Sequence, residues 1–183
     1  DCNWDKMMTE TIRSSFTNQG QICLCSSRIL LHKNIYEKFK NEFVEKTNAL
    51  KVGDPMEPES RQGAIVSEMH FNKIMNCIAT AKNEGGKILC GGNAIHPEGR
   101  CTNGYFIEPT VIENLPAKCS TNQEEIFGPV VTLQSFETVE EAMAEVVFAF
   151  RKDSVTESDM EKLSEFGKIV KNYIKINRLY HGI

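Results

Sequence analysis

Short aliphatic runs alternate with amphipathic helical patterns along the first 136 residues, and this alternation constrains the possible folds more than any other feature. Each run is four to seven residues long, which suits a strand and is too short for a helix. The predicted strands are residues 27–32, 87–90 and 130–136. The predicted helices are residues 6–17, 34–50 and 67–81. Strands that alternate with helices over short connections are typical of one class, so we predict α/β with a largely parallel sheet and flanking helices.

A further extended segment, residues 105–112, contains Pro109. Because proline has no amide hydrogen to donate to a sheet, we expect this segment at an edge or at a bulge. After the last predicted strand, Thr138 and Glu141 have the spacing of a capping box. This spacing predicts a helix that continues toward Phe150.

The last part of the chain differs from the rest in charge. Residues 151–183 carry seven Lys/Arg and five Asp/Glu, a net charge of +2, whereas residues 1–150 have a net charge of −6. A capping box begins at Ser158, and apolar residues then recur on one helical face. We therefore predict a main domain over 1–150 and a divergent tail over 151–183, with an amphipathic helix at 157–177 that packs on the body or on another chain.

Composition excludes several kinds of partner. The chain carries 21 Lys/Arg and 25 Asp/Glu, and its net charge of −4 argues against nucleic acid and anionic membranes as partners. No apolar run approaches the roughly 20 residues that a membrane-spanning helix needs. The seven cysteines are odd in number and scattered, so we expect reduced thiols and a cytoplasmic protein. Only Cys23 and Cys25 are close together, and a single C-x-C pair is poor spacing for zinc, so no metal site is expected.

The segment around Cys23 has features that a nucleophilic thiol needs. Gly20 permits a tight turn and the close approach of a ligand. Backbone amides after such a turn can stabilise a thiolate and later an oxyanion. No adjacent His or Lys activates the thiol, however, so Cys23 is either a nucleophile or a small, inert, buried residue, and the second interpretation is the commoner one.

Several motifs occur in a fixed order along the chain. Residues 16–27 read FTNQGQICLCSS, residues 53–55 read GDP, residues 104–111 read GYFIEPTV, and residues 124–130 read EEIFGPV. Together they resemble the aldehyde dehydrogenase superfamily, and the resemblance covers about residues 1–143. The sequence of residues 13–16 and 23–25 is most similar to that of the aminomuconate-semialdehyde branch of the family.

This resemblance implies NAD- or NADP-dependent oxidation of a small-molecule aldehyde to a carboxylic acid. Cys23 is then the nucleophile, which forms a thiohemiacetal and afterwards a thioester. The backbone N–H of Cys23 is implied as one oxyanion donor. Asn18, Gly20 and Gln21 belong to the same motif, in which Asn18 is expected to shape the turn.

The resemblance also implies contacts with the cofactor. Glu125 matches a carboxylate that accepts hydrogen bonds from the nicotinamide ribose, Phe127 matches an aromatic residue near the nicotinamide, and Lys73 lies where the family often contacts the adenosine end. The alternatives are a solvated acidic pair for Glu124 and Glu125, ordinary core for Phe127, and a solvated helix position for Lys73. The four histidines belong to no motif and are expected at surface or hydrogen-bonded positions.

The sequence departs from the family in several places. No Gly-rich phosphate turn precedes Cys23, and the ELGGK motif that carries the family's general-base carboxylate is absent from these residues. The resemblance fades after Met143, and the family's oligomerising strand is missing, although a homo-oligomer stays possible. Two hypotheses follow: a catalytic-domain piece of an NAD(P)-dependent enzyme, or a non-catalytic domain that acts in packing or association.

Overall fold

The structure is a computed structural model that describes residues 3–143. The helices are α1 (Trp4–Phe16), α2 (Lys33–Asn48), α3 (Glu68–Asn83) and the single turn α4 (Ser120–Gln123). The strands are β1 (Arg28–His32), β2 (Lys87–Cys90), β3 (Ala94–Ile95), β4 (Phe106–Ile107), β5 (Thr110–Glu113) and β6 (Val130–Phe136). The predicted strands at 87–90 and 130–136 have these same bounds.

The starts of α2 and α3 follow from their caps. The Oγ of Ser67 accepts a hydrogen bond from the backbone N–H of His70 at 3.2 Å, which confirms Ser67 as the cap of α3. The predicted cap of α2, Asn34, is wrong by two residues. The cap is His32, whose Nδ1 accepts from the N–H of Asn34 at 3.3 Å, so the helix already includes Lys33.

Four strands form the main sheet, in the order β1-β6-β5-β2. Strands β5 and β6 pair in parallel, with Thr110 opposite Val130. Strand β2 lies at the edge and pairs antiparallel to β5, with a register shift between Ile88 and Cys90. The α/β class with a mainly parallel sheet and flanking helices is confirmed.

The sheet separates two apolar cores, because neighbouring residues of a strand point to opposite faces. Ile112 and Val130 pack in a core with α3. Val111 and Val131 pack in the other core with residues of α1 and α2. Helices therefore cover both faces, which is why every residue of β5 is buried.

Residues 105–112 differ from the single extended segment that the sequence predicted at an edge or at a bulge. Strand β4 pairs with β3 in a separate two-stranded sheet, whereas β5 is an interior strand of the main sheet. Pro109 lies between β4 and β5, where the chain passes from one sheet to the other and no ladder donor is needed. The proline thus separates two strands that belong to different sheets.

The chain divides into two compact units after Ser135. In the second unit, residues 139–143 are helical and the N–H of Glu141 donates to Oγ1 of Thr138 at 3.2 Å, which confirms the capping contact. The continuation toward Phe150, the boundary at residue 150 and the helix at 157–177 lie outside the described residues. Within residues 3–143, no helix is both long and apolar enough to cross a membrane.

Candidate active site

Cys23 lies at the exposed tip of a tight turn. The N–H of Cys25 donates to the carbonyl oxygen of Ile22 at 2.9 Å, so Cys23 and Leu24 occupy the two central positions. The side chain of Cys23 is exposed, and Leu24 beside it is 88% exposed. Among the described residues, the N–H of Cys23 has no hydrogen-bond acceptor. The thiol and an amide donor are therefore both accessible at one residue.

Three successive residues in the left-handed region bend the chain before this turn. The φ angles are 50° for Asn18, 57° for Gln19 and 69° for Gly20. The N–H of Gln21 donates to the carbonyl oxygen of Asn18 at 3.0 Å, and the Asn18 amide donates back to the carbonyl oxygen of Gln21 at 3.3 Å. Asparagine tolerates this conformation because its short side chain can hydrogen-bond locally. Asn18 therefore lies where it can shape the bend.

Gly20 brings the Cys23 turn against a distant segment. A Cβ at Gly20 would lie 2.1 Å from the carbonyl oxygen of Gly128, so no larger residue fits without displacing backbone. Gln21 anchors the other side of the bend, since its Oε1 accepts from the N–H of Val66 at 3.1 Å. The two main family motifs thus meet at the Gly20–Gly128 contact.

A cavity of about 30 Å³ lies between the two motifs. Its walls include Ser15 and Cys25 on one side and Glu125 and Phe127 on the other. This volume is enough for a water molecule or two. Cys23 does not line the cavity, so the structure brings Cys25, and not the expected nucleophile, to this shared wall. Ser15, whose buried hydroxyl has no hydrogen-bond partner among the described residues, is a polar wall residue that the sequence did not single out.

The segment with Glu125 and Phe127 is held by its main chain. The carbonyl oxygen of Glu125 accepts from Nζ of Lys73 at 2.7 Å, and that of Phe127 lies 2.6 Å from Nε2 of His70. Phe127 has a φ of 59°, a conformation that costs a non-glycine residue about 1–3 kcal/mol. The Glu125 side chain is exposed, and within the described part of the chain its carboxylate has no hydrogen bond or ion pair.

Lys73 and His70 both contact the main chain of this segment, and His70 thus has one of the hydrogen-bonded positions expected of the histidines. Lys73 was expected at the adenosine end of a cofactor, and its ammonium here contacts the main chain of Glu125. His70 belonged to no motif, yet it holds the neighbouring carbonyl of Phe127. The available signal was the spacing of three residues between His70 and Lys73, which places both on one side of α3.

Unlike Cys23, the other described cysteines are half-buried or buried. Burial raises the pKa of the thiols of Cys25, Cys77 and Cys119, and it raises the pKa of Cys90 to about 11. A raised pKa lowers the thiolate fraction, and the thiolate is the nucleophile. Among residues 3–143, no three His, Cys, Asp or Glu side chains are arranged to hold a metal ion.

Fold and site together indicate one class of protein. It is an α/β domain with helices on both faces of its sheet, in which a cysteine turn that follows a glycine contacts a Glu-x-Phe segment. The family model described as "Aldehyde dehydrogenase family" matches residues 1–146, and the chain belongs to this family.

Named relatives agree with this assignment. The chain is 41% identical over 145 residues to 2-aminomuconic semialdehyde dehydrogenase of Mus musculus, covering 78% of this chain and 30% of that protein. It is 36% identical over 170 residues to the peroxisomal aminoaldehyde dehydrogenase 1 of Pisum sativum, covering 92% and 33%. The betaine aldehyde dehydrogenase of Staphylococcus aureus in complex with NAD+ superposes with a TM-score of 0.73 at 34% identity, covering 79% and 29%. The chain thus spans about a third of the length of these relatives.

Proposed function

We propose that this chain supplies the nucleophile and the nicotinamide-facing side of an aldehyde oxidation that uses NAD or NADP. The observation that carries the proposal is the contact of Gly20 with Gly128. This contact sets the exposed turn of Cys23 beside the segment that carries Glu125 and Phe127. A nucleophile and a cofactor-facing carboxylate then share one end of the domain.

Cys23 performs the covalent chemistry in this proposal. Its thiolate adds to the carbonyl carbon of the aldehyde and forms a thiohemiacetal, whose oxygen carries the negative charge. The N–H of Cys23, which has no partner within the described part of the chain, is a donor for that oxyanion. Loss of hydride from the same carbon, to the acceptor that a bound nicotinamide cofactor would supply, gives a thioester on Cys23. Water then cleaves the thioester and releases the carboxylic acid and the Cys23 thiol.

The residues on the other side of the site fit the nicotinamide-ribose half of the cofactor, which supplies the hydride acceptor when bound. A carboxylate with free acceptor positions suits the paired hydroxyls of a ribose, and that of Glu125 is exposed and unpartnered among the described residues. Phe127 offers a half-buried aromatic ring beside it. The proposed cofactor is therefore NAD or NADP. The cytoplasmic location is a separate prediction from the sequence.

A role in association is the second candidate. The apolar side chains of Leu24, Val66 and Met69 are 88%, 78% and 82% exposed, and a contiguous apolar patch, unlike apolar residues exposed singly, marks contact with another protein surface. Val66 is tied to the cysteine turn through Gln21, so an association surface there would include the turn.

The test is competitive labelling of the 183-residue chain with limiting iodoacetamide, followed by peptide mapping, with and without an aliphatic aldehyde such as propanal. We expect Cys23 to react about tenfold faster than the half-buried Cys101, because its thiol is exposed, and we expect propanal to slow labelling at Cys23 alone. A variant Cys25→Ser controls for the neighbouring thiol. Equal labelling of Cys23 and Cys101 without protection by propanal would contradict the proposal, and self-association lost in Leu24→Ser would then favour the second candidate.

A further inference from the structure

The backbone at Phe127 needs an external restraint. Its φ of 59° is in the left-handed region, which an aromatic residue adopts only when its surroundings hold it there. The next residue is fixed by shape, since a Cβ at Gly128 would lie 2.6 Å from Cδ1 of Ile74. Helix α3 therefore already limits this segment on one side.

His70 supplies the polar contact at the strained residue. Its Nε2 lies 2.6 Å from the carbonyl oxygen of Phe127. A carbonyl oxygen can only accept, so Nε2 must carry the hydrogen. The rings of His70 and Phe127 also meet edge to face, with their centroids 6.1 Å apart. One histidine thus contacts both the main chain and the ring of the same residue.

The position of His70 is itself fixed. Its backbone N–H donates to Oγ of the cap Ser67, and it lies in the first turn of the sixteen-residue helix α3. Lys73, one turn later, reaches the carbonyl oxygen of Glu125 with a long exposed side chain. A half-buried ring has fewer rotamers than such a side chain, so His70 restrains direction more closely.

We propose that His70 is a positioning residue, which donates from Nε2 to the main chain of Phe127 and thereby orients the phenyl ring toward a bound nicotinamide. The orientation toward nicotinamide rests on the proposed function. The hydrogen bond to the main chain does not, and it can be judged separately. Only the neutral tautomer with hydrogen on Nδ1 is unable to make this bond.

The first experiment is nuclear magnetic resonance of the 183-residue chain with labelled histidine. We expect the neutral His70 ring to carry its hydrogen on Nε2. The variants H70Q and H70N place an amide donor near the Nε2 and Nδ1 positions respectively, so they form a matched pair. The reporter is the amide of Val130, which donates to the carbonyl oxygen of Gly128 at 2.7 Å.

In H70N we expect the Val130 amide to exchange about tenfold faster, as for the loss of one net hydrogen bond, and in H70Q less than about threefold faster. The exposed His96 provides the control, since H96N should leave exchange unchanged. Hydrogen on Nδ1 of His70, or equal exchange in H70N and H70Q, would overturn the proposal.

The second experiment titrates the same proteins with nicotinamide mononucleotide, which carries the ribose and ring that Glu125 and Phe127 are proposed to contact. We expect H70N to weaken binding about tenfold and H70Q to restore it, a pattern that a loss of stability alone would not give. Equal affinities in the two variants would overturn the orienting role. If the unchanged chain shows no shift at Glu125 or Phe127, the cofactor assignment fails, and the exchange of Val130 still decides whether His70 holds the main chain.

Discussion

The two ends of α3 hold the same downstream segment by opposite chemistry. At the carboxyl end, the carboxylate of Glu84 accepts hydrogen bonds from the backbone N–H groups and the hydroxyls of Ser120 and Thr121. A carboxylate at a helix carboxyl terminus is unfavourable by itself because the helix dipole is negative there. The four donors offset that cost, and they fix the start of α4.

At the amino end of α3 the helix donates. His70 and Lys73 contact main-chain oxygens of Phe127 and Glu125, and no side-chain atom of Glu125 takes part. An anchor of this kind fixes the backbone and leaves the carboxylate and the phenyl ring available to a ligand. The carboxylate of Glu84, by contrast, accepts four hydrogen bonds itself. The carboxyl end of α3 therefore makes a structural contact, whereas the amino end holds the backbone of a candidate binding site.

The largest effect is expected from Gly20→Ala, which pushes the Cys23 turn into Gly128 at the amino end of α3. The new Cβ would lie 2.1 Å from a backbone oxygen, and φ is 69°. We expect a loss of about 3 kcal/mol or more in the free energy of unfolding, measured by urea denaturation. The control is Gly99→Ala, which has the same φ of 69° but no atom within 4 Å, and should cost about 1 kcal/mol. Equal losses in the two variants would show that the Gly20–Gly128 contact is not tight.

An intermediate effect is expected from Glu84→Gln at the carboxyl end. Burial raises the pKa of this carboxyl, but the hydrogen bonds from Ser120 and Thr121 outweigh burial and lower the pKa from 4.5 to about 2. We expect the variant to lose about 2 kcal/mol at neutral pH, as for hydrogen bonds to a charged group. The exposed Glu98→Gln is the control and should change stability by less than about 0.5 kcal/mol.

The pH dependence follows from the sign of that shift. Because the folded pKa of Glu84 is below the unfolded value, the unfolded chain binds more protons between pH 4.5 and about pH 2. The stabilisation is therefore complete above pH 4.5 and is lost as the pH falls toward 2. The pKa of Glu113 is also lowered: burial raises it, and hydrogen bonds from Lys40 and Lys87 prevail. Glu113 is present in both proteins, so the difference between wild type and Glu84→Gln isolates Glu84, and a difference that stays constant with pH would contradict the assignment.

Much of this framework could be predicted from the sequence. Short aliphatic runs predicted the strands and helical spacing of apolar residues predicted the helices, because burial against the sheet faces determines both patterns. The glycines of the two motifs predicted tight turns of the backbone, and Gly20 has a φ in the left-handed region that such a turn needs. The family resemblance identified both motifs before their contact was visible.

The rest could not be read from local patterns. The split of residues 105–112 depends on pairing with β3, a two-residue strand that no local pattern predicted. The roles of His70 and Glu84 depend on partners 57 and 36 residues away, and a single histidine or glutamate on a helix carries no mark of such a partner. Cys25 lines the cavity and Cys23 does not, because of the direction of one turn. The spacing C-x-C leaves this direction undetermined.

The smallest effect is expected from Lys73→Met. The ammonium of Lys73 makes one exposed hydrogen bond, to the carbonyl oxygen of Glu125, and water can take its place when the ammonium is removed. We therefore expect a change of less than about 0.5 kcal/mol in urea denaturation, similar to that of the control Lys82→Met on the same helix. A loss as large as that of Glu84→Gln would mean that both ends of α3 are structural anchors. A small loss fits a Lys73 contact that guides the main chain and contributes little to its stability, so that Glu125 can still adjust to a ligand.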